Sequence, residues 1–216
     1  MRAVLWDLDD TLLNTLAGRM NALAHAYETL MGQKTDPKAL WVSHRGGTLE
    51  DLGRRLVGDD YARFASVYRD RYFTLNRDIR PFDGVETVLE AILAAEVPMA
   101  VVTSKGAWSA TDELGRTGLL RYFHAVVGFD DTDLHKPDPE PVFTAMDRLC
   151  VDDPEGVLFI GDSPADIWAA RNAGCTSVAA LWGTLDAEVL MDAMPDHSVA
   201  APAEVLALLA RPGVLR

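Results

Sequence analysis

Short apolar runs recur along the chain, and stretches of helical character separate them. Each run is three to five residues long, too short for a helix, and is apolar without polar alternation. This pattern is typical of strands buried on both faces, as in a parallel sheet. The runs lie at residues 3–6, 99–102, 125–127, 157–160 and 177–181, with a weaker one at 198–200.

Four helical segments lie between these runs. Two of them end at a helix-stop signal, since Gly118 and Gly174 stand where a glycine just beyond a helix is favourable. The segments lie at residues 85–95, 107–117, 139–149 and 164–173. Alternation of strands and helices predicts an α/β fold, a doubly wound parallel sheet with a Rossmann-like core.

Residues 15–80 break the alternation and hold no comparable strand run. Apolar residues recur there at three- and four-residue steps, which predicts helices. They are Leu16, Met20, Leu23, Ala24 and Tyr27 in one stretch, and Tyr61, Phe64, Val67, Tyr68 and Tyr72 in another. We therefore predict a small all-helical cap domain at 15–80, inserted after the first strand of an α/β core formed by 1–14 and 81–216. A short last helix is expected from residue 206.

The balance of charge excludes some partners. The 216 residues include 33 Asp and Glu against 20 Lys and Arg, a net charge of −13. A protein this acidic repels nucleic acid and anionic membranes, so neither is an expected partner. No apolar run approaches the ~20 residues that span a bilayer, and residues 1–7 do not form a secretion leader. The two cysteines fit small buried side chains in a reducing cytoplasm, which is the expected location.

Reactive side chains follow four of the predicted strands. The carboxyl ends of parallel strands meet at one edge of a sheet, where ligands bind in such folds. The groups are Asp7 and Asp9 after the first strand, Thr103 and Ser104 after the second, Lys136 beyond the third, and Asp162 and Asp166 after the fourth. Four carboxylates at short range disfavour joint ionisation, which a bound Mg²⁺ relieves. With a lysine and a hydroxyl group, the set suits phosphoryl transfer.

The spacing of Asp7 and Asp9 allows both carboxylates to serve one phosphoryl group. In an extended chain, residues two apart point the same way. One carboxylate can be the nucleophile, while the other protonates the leaving oxygen and then activates water. The next two residues are expected to be structural, with Asp10 in an exposed turn and Thr11 donating to nearby backbone or carboxylate groups.

Taken in order, these motifs resemble those of the haloacid dehalogenase superfamily of phosphatases, over nearly the whole chain. The motifs are Asp7-Leu8-Asp9-Asp10-Thr11, Thr103 at a strand end, Lys136 within His-Lys-Pro-Asp-Pro at 135–139, and Gly161-Asp162-Ser163-Pro164-Ala165-Asp166. The resemblance implies that Asp7 is the nucleophile and that Asp9 is the general acid and base. The family's dehalogenases lack the second aspartate of the first motif, so Asp9 favours a phosphatase.

The resemblance also implies the remaining ligands. Asp7, the backbone carbonyl of Asp9 and Asp162 would bind Mg²⁺. Asp166 would support Asp162 or reach the metal through water. The side chain of Thr103 would bind the phosphoryl oxygens, and that of Lys136 would neutralise both the nucleophile and the phosphate.

Within the superfamily the chain looks most like phosphoglycolate phosphatases and their relatives, which carry a helical cap after the first motif. Residues 103–105, Thr-Ser-Lys, are similar to their Thr-Asn-Lys, with a departure at Ser104, which is assigned here to phosphate binding. Lys105 is either a substrate contact or a surface charge. In the cap, glycines at 46 and 47 let the loop approach a ligand, and Arg45 can pair with a second anionic group.

We therefore predict a Mg²⁺-dependent hydrolase that removes phosphate from a small phosphorylated metabolite through an aspartyl-phosphate, with phosphoglycolate as a candidate substrate. A sugar phosphomutase and a pyrophosphatase on the same scaffold are the alternatives. A non-catalytic phosphate-binding module is opposed by the intact set of motif residues. A monomer and a homodimer are both compatible with the sequence.

Overall fold

The structure is a computed structural model that describes residues 1–44 and 48–209. Contacts divide the chain into two compact units. The larger unit comprises Met1–Asn14 and the described residues from Arg80 onward, and the smaller unit comprises the described residues of Thr15–Ile79.

Six parallel strands form the sheet of the larger unit. They are β1 (Ala3–Trp6), β2 (Met99–Val102), β3 (Ala125–Val127), β4 (Val157–Gly161), β5 (Thr176–Ala180) and β6 (His197–Val199). β1, β2 and β4 are buried along their full length, as strands covered on both faces must be. All six predicted runs are strands, although β5 and β6 each begin and end one residue earlier than predicted.

The strand order is β3-β2-β1-β4-β5-β6, so the direction of winding reverses between β1 and β4. Leu5 is in register with Ala100 of β2 on one side and with Phe159 of β4 on the other. The predicted doubly wound parallel sheet is confirmed. In such folds the ligand crevice lies outside the carboxyl ends of the strands at the reversal, which is where the residues after β1 and β4 stand.

The described part of the smaller unit consists of helices and short 3₁₀ turns and contains no strand. The helices are α1 (Leu16–Met31), α2 (Pro37–Ser43), α3 (Leu49–Val57) and α4 (Tyr61–Leu75). α1 and α4 cover the two stretches of periodic apolar residues. Leu23, Leu52 and Phe64 from three of the helices are buried against one another. The function of this unit as a cap remains a prediction.

Further helices flank the sheet of the larger unit. They are α5 (Val85–Ala94), α6 (Ala107–Arg116), α7 (Glu140–Arg148), α8 (Pro164–Ala173), α9 (Ala187–Asp192) and α10 (Val205–Leu209). On one face, Leu5 and Phe159 of the sheet share a buried cluster with Val142 of α7 and Ala169 of α8. Among the described helices, none combines the length and apolar character needed to cross a membrane.

Helix α9 was not predicted, because a helix of six residues is too short to show a periodic pattern. Its start has a local cause, since the side chain of Asp186 accepts a hydrogen bond from the N–H of Val189. The predicted last helix is present as α10, which begins one residue before the predicted start, and residues 210–216 lie outside the described part of the chain.

Candidate active site

Backbone hydrogen bonds fix the residues that follow β1 and β2 at the edge of the sheet. The N–H of Asp7 donates to the carbonyl of Ile160 at 2.8 Å, and the N–H of Thr103 donates to the carbonyl of Val127 at 2.9 Å. Asp162 follows directly after β4. Side chains on backbone that is hydrogen-bonded in this way are positioned more precisely than side chains on loops without such bonds.

Lys136 reaches this edge from the loop beyond β3, and its ammonium group has three acceptors. Nζ donates to Asp7 Oδ1 at 2.7 Å, to Asp166 Oδ1 at 2.6 Å and to the carbonyl of Val102 at 3.1 Å. The side chain of Lys136 is 5% exposed. All three protons of the ammonium group are therefore used, which removes the cost of burying an unpaired charge.

The carboxylates and Lys136 shift one another's protonation. Burial raises the pKa of Asp7 to about 7, with Asp166 and Asp9 adding to the rise and Lys136 opposing it. Burial alone would lower the pKa of Lys136, but the carboxylates of Asp166 and Asp7 outweigh it and raise that pKa above the usual value for lysine. Lys136 thus stays charged, and the surrounding carboxylates carry more negative charge than it neutralises.

The donor set around Asp7 fits a small divalent cation. Carboxylate oxygens of Asp7, Asp162 and Asp166 all lie within 4.8 Å of one another. The hydroxyl of Thr11 donates to Asp162 Oδ1 at 3.1 Å, which orients that carboxylate. Oxygen-only donors with excess negative charge are what Mg²⁺ binds. The contact also confirms the expectation that Thr11 donates to a nearby carboxylate.

Both carboxylate oxygens of Asp166 have donors within the protein. Oδ1 accepts from Lys136, and Oδ2 accepts from the N–H of Ser163 at 3.1 Å and from its hydroxyl at 2.6 Å. Gly161 leaves the space for this side chain, because a Cβ at that position would lie 2.4 Å from the Cβ of Asp166. These contacts favour a supporting role for Asp166, and its contact with the metal through water remains a prediction.

Asp9 is bound to a second lysine. Nζ of Lys105 donates to Asp9 Oδ1 at 2.8 Å and to Glu113 Oε2 at 2.5 Å. The side chain of Lys105 is only 13% exposed, so the interpretation of Lys105 as a surface charge is wrong. Glu113 is not among the predicted site residues. A signal for it exists, because Glu113 falls beside Leu114 and three residues after Ala110, on the buried face of α6.

The remaining predicted phosphate-binding residues differ in their surroundings. Thr103 is buried, and its Oγ1 accepts a hydrogen bond from the N–H of Lys105 at 3.2 Å. Ser104 is exposed next to it. Arg45, the residue predicted to bind a second anionic group, lies outside the described residues.

Asp10 is buried, so the prediction of an exposed turn is wrong. Its φ of 63° lies in the left-handed region, which residues other than glycine seldom adopt. The loop after β5 covers this turn: Trp182 Nε1 donates to the carbonyl of Thr11 at 2.9 Å, and a Cβ on Gly183 would lie 1.6 Å from the carbonyl oxygen of Asp10. The covering residues are more than 170 positions away in sequence, and local turn rules do not detect them.

Known proteins are similar to this chain over most of its length. The family model described as haloacid dehalogenase-like hydrolase matches residues 4–180. The chain is 34% identical to the "Putative pyrophosphatase PpaX" of Caldanaerobacter subterraneus, covering 91% of this chain and 89% of that protein. It is 29% identical to the phosphoglycolate phosphatase of Aquifex aeolicus, covering 97% of each.

The fold also matches a solved structure. A "predicted phosphoglycolate phosphatase" from Haemophilus somnus superposes with a TM-score of 0.85 at 24% identity. The match covers 96% of this chain and 97% of that one. At this identity the match concerns the fold.

Proposed function

We propose that this chain, which belongs to the haloacid dehalogenase-like hydrolase family, is a Mg²⁺-dependent phosphatase. It is proposed to act through an aspartyl-phosphate at Asp7. The family membership agrees with the resemblance predicted from the motifs and makes the chain an enzyme of the hydrolase class. One observation carries the proposal: the buried ammonium of Lys136 bridges Asp7 and Asp166, with Asp162 beside them. Phosphoryl transfer to a carboxylate calls for this combination of nucleophile and fixed positive charge.

In the first step, a carboxylate oxygen of Asp7 attacks the phosphorus of the ester. A P–O bond to Asp7 forms while the P–O bond to the leaving alcohol breaks. Lys136, 2.7 Å from Asp7 Oδ1, holds the nucleophile and offsets the charge of the phosphoryl oxygens. The hydroxyl of Thr103 donates to a phosphoryl oxygen. Asp9 gives its proton to the leaving oxygen, so that the alcohol departs neutral.

In the second step, water hydrolyses the aspartyl-phosphate. Asp9 is now an ionised carboxylate and takes a proton from the attacking water. The new P–O bond forms while the P–O bond to Asp7 breaks, which releases inorganic phosphate and the Asp7 carboxylate. Both aspartates return to their starting protonation states, as a catalytic cycle requires.

The chain's own residues fit Mg²⁺ as the cofactor. Asp7 and Asp162 would hold the ion with the backbone carbonyl of Asp9, while Asp166 keeps Lys136 in place. When bound, the ion would supply positive charge to the phosphoryl oxygens. This assignment accounts for the surplus of carboxylates, which Lys136 alone does not neutralise.

The smaller unit is proposed to be the cap that selects the substrate, with domain limits at 15–80. Its charge supports this role. Residues 15–79 contain ten Lys and Arg and eight Asp and Glu, whereas the remaining residues contain ten and twenty-five. An anionic substrate is repelled by the strongly acidic unit outside its site, but not by the smaller unit.

The substrate is proposed to be a small phosphorylated metabolite, and phosphoglycolate is the first candidate because of the phosphoglycolate phosphatase of Aquifex aeolicus. Pyrophosphate is the second candidate because of the relative from Caldanaerobacter subterraneus. We further propose that the protein acts in the cytoplasm as a monomer or homodimer, without nucleic acid or membrane partners.

Hydrolysis of p-nitrophenyl phosphate tests the reaction. Activity should require Mg²⁺, vanish with EDTA, and fall by about 10³-fold or more in Asp7→Asn, because the nucleophile is lost. Asp152→Asn, which makes the same exchange at an exposed acid of the same unit, should keep full activity. Turnover that survives Asp7→Asn or is indifferent to EDTA contradicts the mechanism.

A substrate panel then separates the candidates. Phosphoglycolate, pyrophosphate and several sugar phosphates are compared by kcat/KM for phosphate release. The sugar phosphates are also analysed for isomers, because a phosphomutase would return the phosphoryl group to another hydroxyl. Isomer formation that exceeds phosphate release would contradict a phosphatase.

A further inference from the structure

Glu113 is a fully buried acid for which the proposed reaction has no direct use. It lies on α6, its side chain is 0% exposed, and Oε2 accepts from Nζ of Lys105 at 2.5 Å. A buried carboxylate is costly unless a cation and hydrogen bonds compensate it. Glu113 and Lys105 are therefore best understood as a pair, in which each determines where the other lies.

The backbone at Lys105 is fixed as firmly as its side chain. Its N–H donates to Thr103 Oγ1 at 3.2 Å, and its carbonyl accepts from the N–H of Phe129 at 3.0 Å. The side chain is anchored by Glu113 at its far end. A lysine side chain normally has many rotamers, and restraints at both ends reduce them.

The anchored ammonium of Lys105 also donates to Asp9 Oδ1 at 2.8 Å. Asp9 and Glu113 are far apart in sequence, and Lys105 joins them through a single nitrogen atom. The Asp9 carboxylate is thereby linked to helix α6, which belongs to the larger unit. A general acid has to be within hydrogen-bond reach of the leaving oxygen, so its orientation matters as much as its acidity.

We propose that Lys105 and Glu113 form a positioning pair that orients the Asp9 carboxylate for proton transfer to the leaving group. Glu113 fixes Lys105, and Lys105 fixes Asp9. Both residues are proposed to act through Asp9 and not on the substrate. The inference rests on the proposed function of Asp9, and it assigns a role to Glu113, which the motifs do not include.

A rival interpretation is that Lys105 binds the substrate. The two interpretations predict different kinetics. A binding residue contributes to the affinity for every substrate, so its loss raises KM for all esters alike. A residue that orients the general acid matters only when the leaving oxygen needs a proton. Its loss should therefore slow poor leaving groups and spare good ones.

The experiment compares two esters in three variants. The esters are an alkyl phosphate, whose leaving alkoxide needs protonation, and 2,4-dinitrophenyl phosphate, whose leaving phenolate does not. The variants are Lys105→Met, Glu113→Gln and the double variant. We expect kcat/KM to fall about 10- to 100-fold for the alkyl ester in all three, and by less than about threefold for the dinitrophenyl ester. The double variant should be no worse than the single variants, because the pair acts as one unit.

One further variant serves as a control, and the double variant has a second purpose. Asp112→Asn makes a similar acid-to-amide exchange on the same helix, at an exposed pair with Arg116, and should leave both rates unchanged. The double variant also guards against misfolding. Lys105→Met alone leaves the Glu113 carboxylate buried without its cation, whereas the double variant removes both charges.

Failure of the inference is distinguishable from failure of the proposed function. If Asp7→Asn abolishes turnover but the variants slow both esters equally, or raise only KM, the phosphatase stands and the positioning pair is overturned. A crystal structure of the double variant gives a readout that needs no turnover. The Asp9 carboxylate should leave its wild-type position, and an unchanged Asp9 overturns the inference.

Discussion

A capping box opens helix α3 in the smaller unit and helix α8 in the larger unit, and the two boxes make corresponding bonds. In each, the first-turn aspartate uses Oδ2 to accept from the N–H and hydroxyl of the N-cap residue, and Oδ1 to accept from a cation. The N-cap residue, the aspartate and the cation are Thr48, Asp51 and Arg54 in α3, and Ser163, Asp166 and Lys136 in α8.

The two boxes differ in burial and in the origin of the cation. The side chains of Arg54 and Asp51 are 53% and 44% exposed, and Arg54 comes from the same helix. The side chains of Lys136 and Asp166 are 5% and 1% exposed, and Lys136 comes from a loop 30 residues earlier. The same local bonds therefore cap a helix in the smaller unit, whereas in the larger unit they also aim a buried cation at Asp7.

Replacing the cation of each box, Lys136 or Arg54, should give the largest difference between the boxes in stability and turnover. Lys136→Met leaves Asp7 and Asp166 buried without their shared counter-ion, and loss of one partner of a buried pair costs about 3–5 kcal/mol. The free energy of unfolding, measured by urea denaturation at pH 8, should fall by about that amount. Turnover of p-nitrophenyl phosphate should fall below detection, because the charge beside the nucleophile is gone.

Arg54→Met is the matched variant in the smaller unit. The exposed Arg54–Asp51 pair is screened by solvent, so its loss should leave urea denaturation and turnover close to those of the wild type. Equal destabilisation by the two variants would contradict the distinction between a capping contact and a compensated buried charge.

The sequence is sufficient to predict the sheet and the strand-end residues. The apolar runs before Asp7, Thr103 and Asp162 are uniform in character, and a polar residue follows each run directly or after one glycine. Local pattern and topology therefore agree on where these side chains lie. The capping box at Ser163 and Asp166 is also visible as a local motif.

The contacts that set the chemistry could not be predicted in the same way. The local sequence around each residue does not identify its partner. It does not show that Lys136 donates to Asp166 or that Glu113 anchors Lys105. It also does not show that Trp182 covers the turn at Asp10. Each of these contacts joins segments that meet only after the chain folds. A motif therefore identifies the type of residue, and tertiary packing decides which partner it receives.

The folding stability of the two units should also depend on pH in different ways. The backbone N–H of Thr48 holds the pKa of Asp51 below its usual range, so this group contributes stability at neutral pH that is lost as the pH falls below about 4. The effect of Asp7 on stability depends on pH in the opposite direction. Burial raises the pKa of Asp7 from 3.8 to about 7. The stability that Asp7 contributes is therefore complete below about pH 4 and is lost as the pH rises through 7.

A proton on Asp7 competes with Mg²⁺, so metal affinity should depend on pH. Below about pH 7 the affinity should rise about tenfold per pH unit, and it should level off above about pH 8. Isothermal titration calorimetry in buffers of different ionisation enthalpy measures both the affinity and the proton released. Asp51→Asn should keep this slope, and Asp7→Asn should abolish it. An affinity that is flat from about pH 5.5 to 8 would contradict a protonated Asp7 in the metal-free site.

The smallest expected effect comes from the N-cap hydroxyl groups, and it compares the two boxes most directly. Thr48→Ala and Ser163→Ala each remove the hydrogen bond that the hydroxyl donates to the first-turn aspartate, and Thr48→Ala also removes the bond that this hydroxyl accepts from the N–H of Asp51. Each variant should cost about 1 kcal/mol in the unfolding of the helix that the residue caps. Their effects on turnover should differ. Asp166 loses one of the donors that orient it, Lys136 is less well fixed, and kcat for p-nitrophenyl phosphate should fall several-fold.

Thr48→Ala should leave kcat unchanged, because the hydrogen bonds of Asp51 among the described residues involve Thr48 and Arg54, neither of which belongs to the proposed site. Ser163→Thr restores the hydroxyl and should recover kcat, which separates loss of the hydrogen bond from a general loosening of α8. If Ser163→Ala loses stability but retains full kcat, the backbone N–H of Ser163 is sufficient to hold Asp166. The hydroxyl groups of the two boxes would then have the same capping role, and the boxes would differ in their burial and in the cation that each one binds.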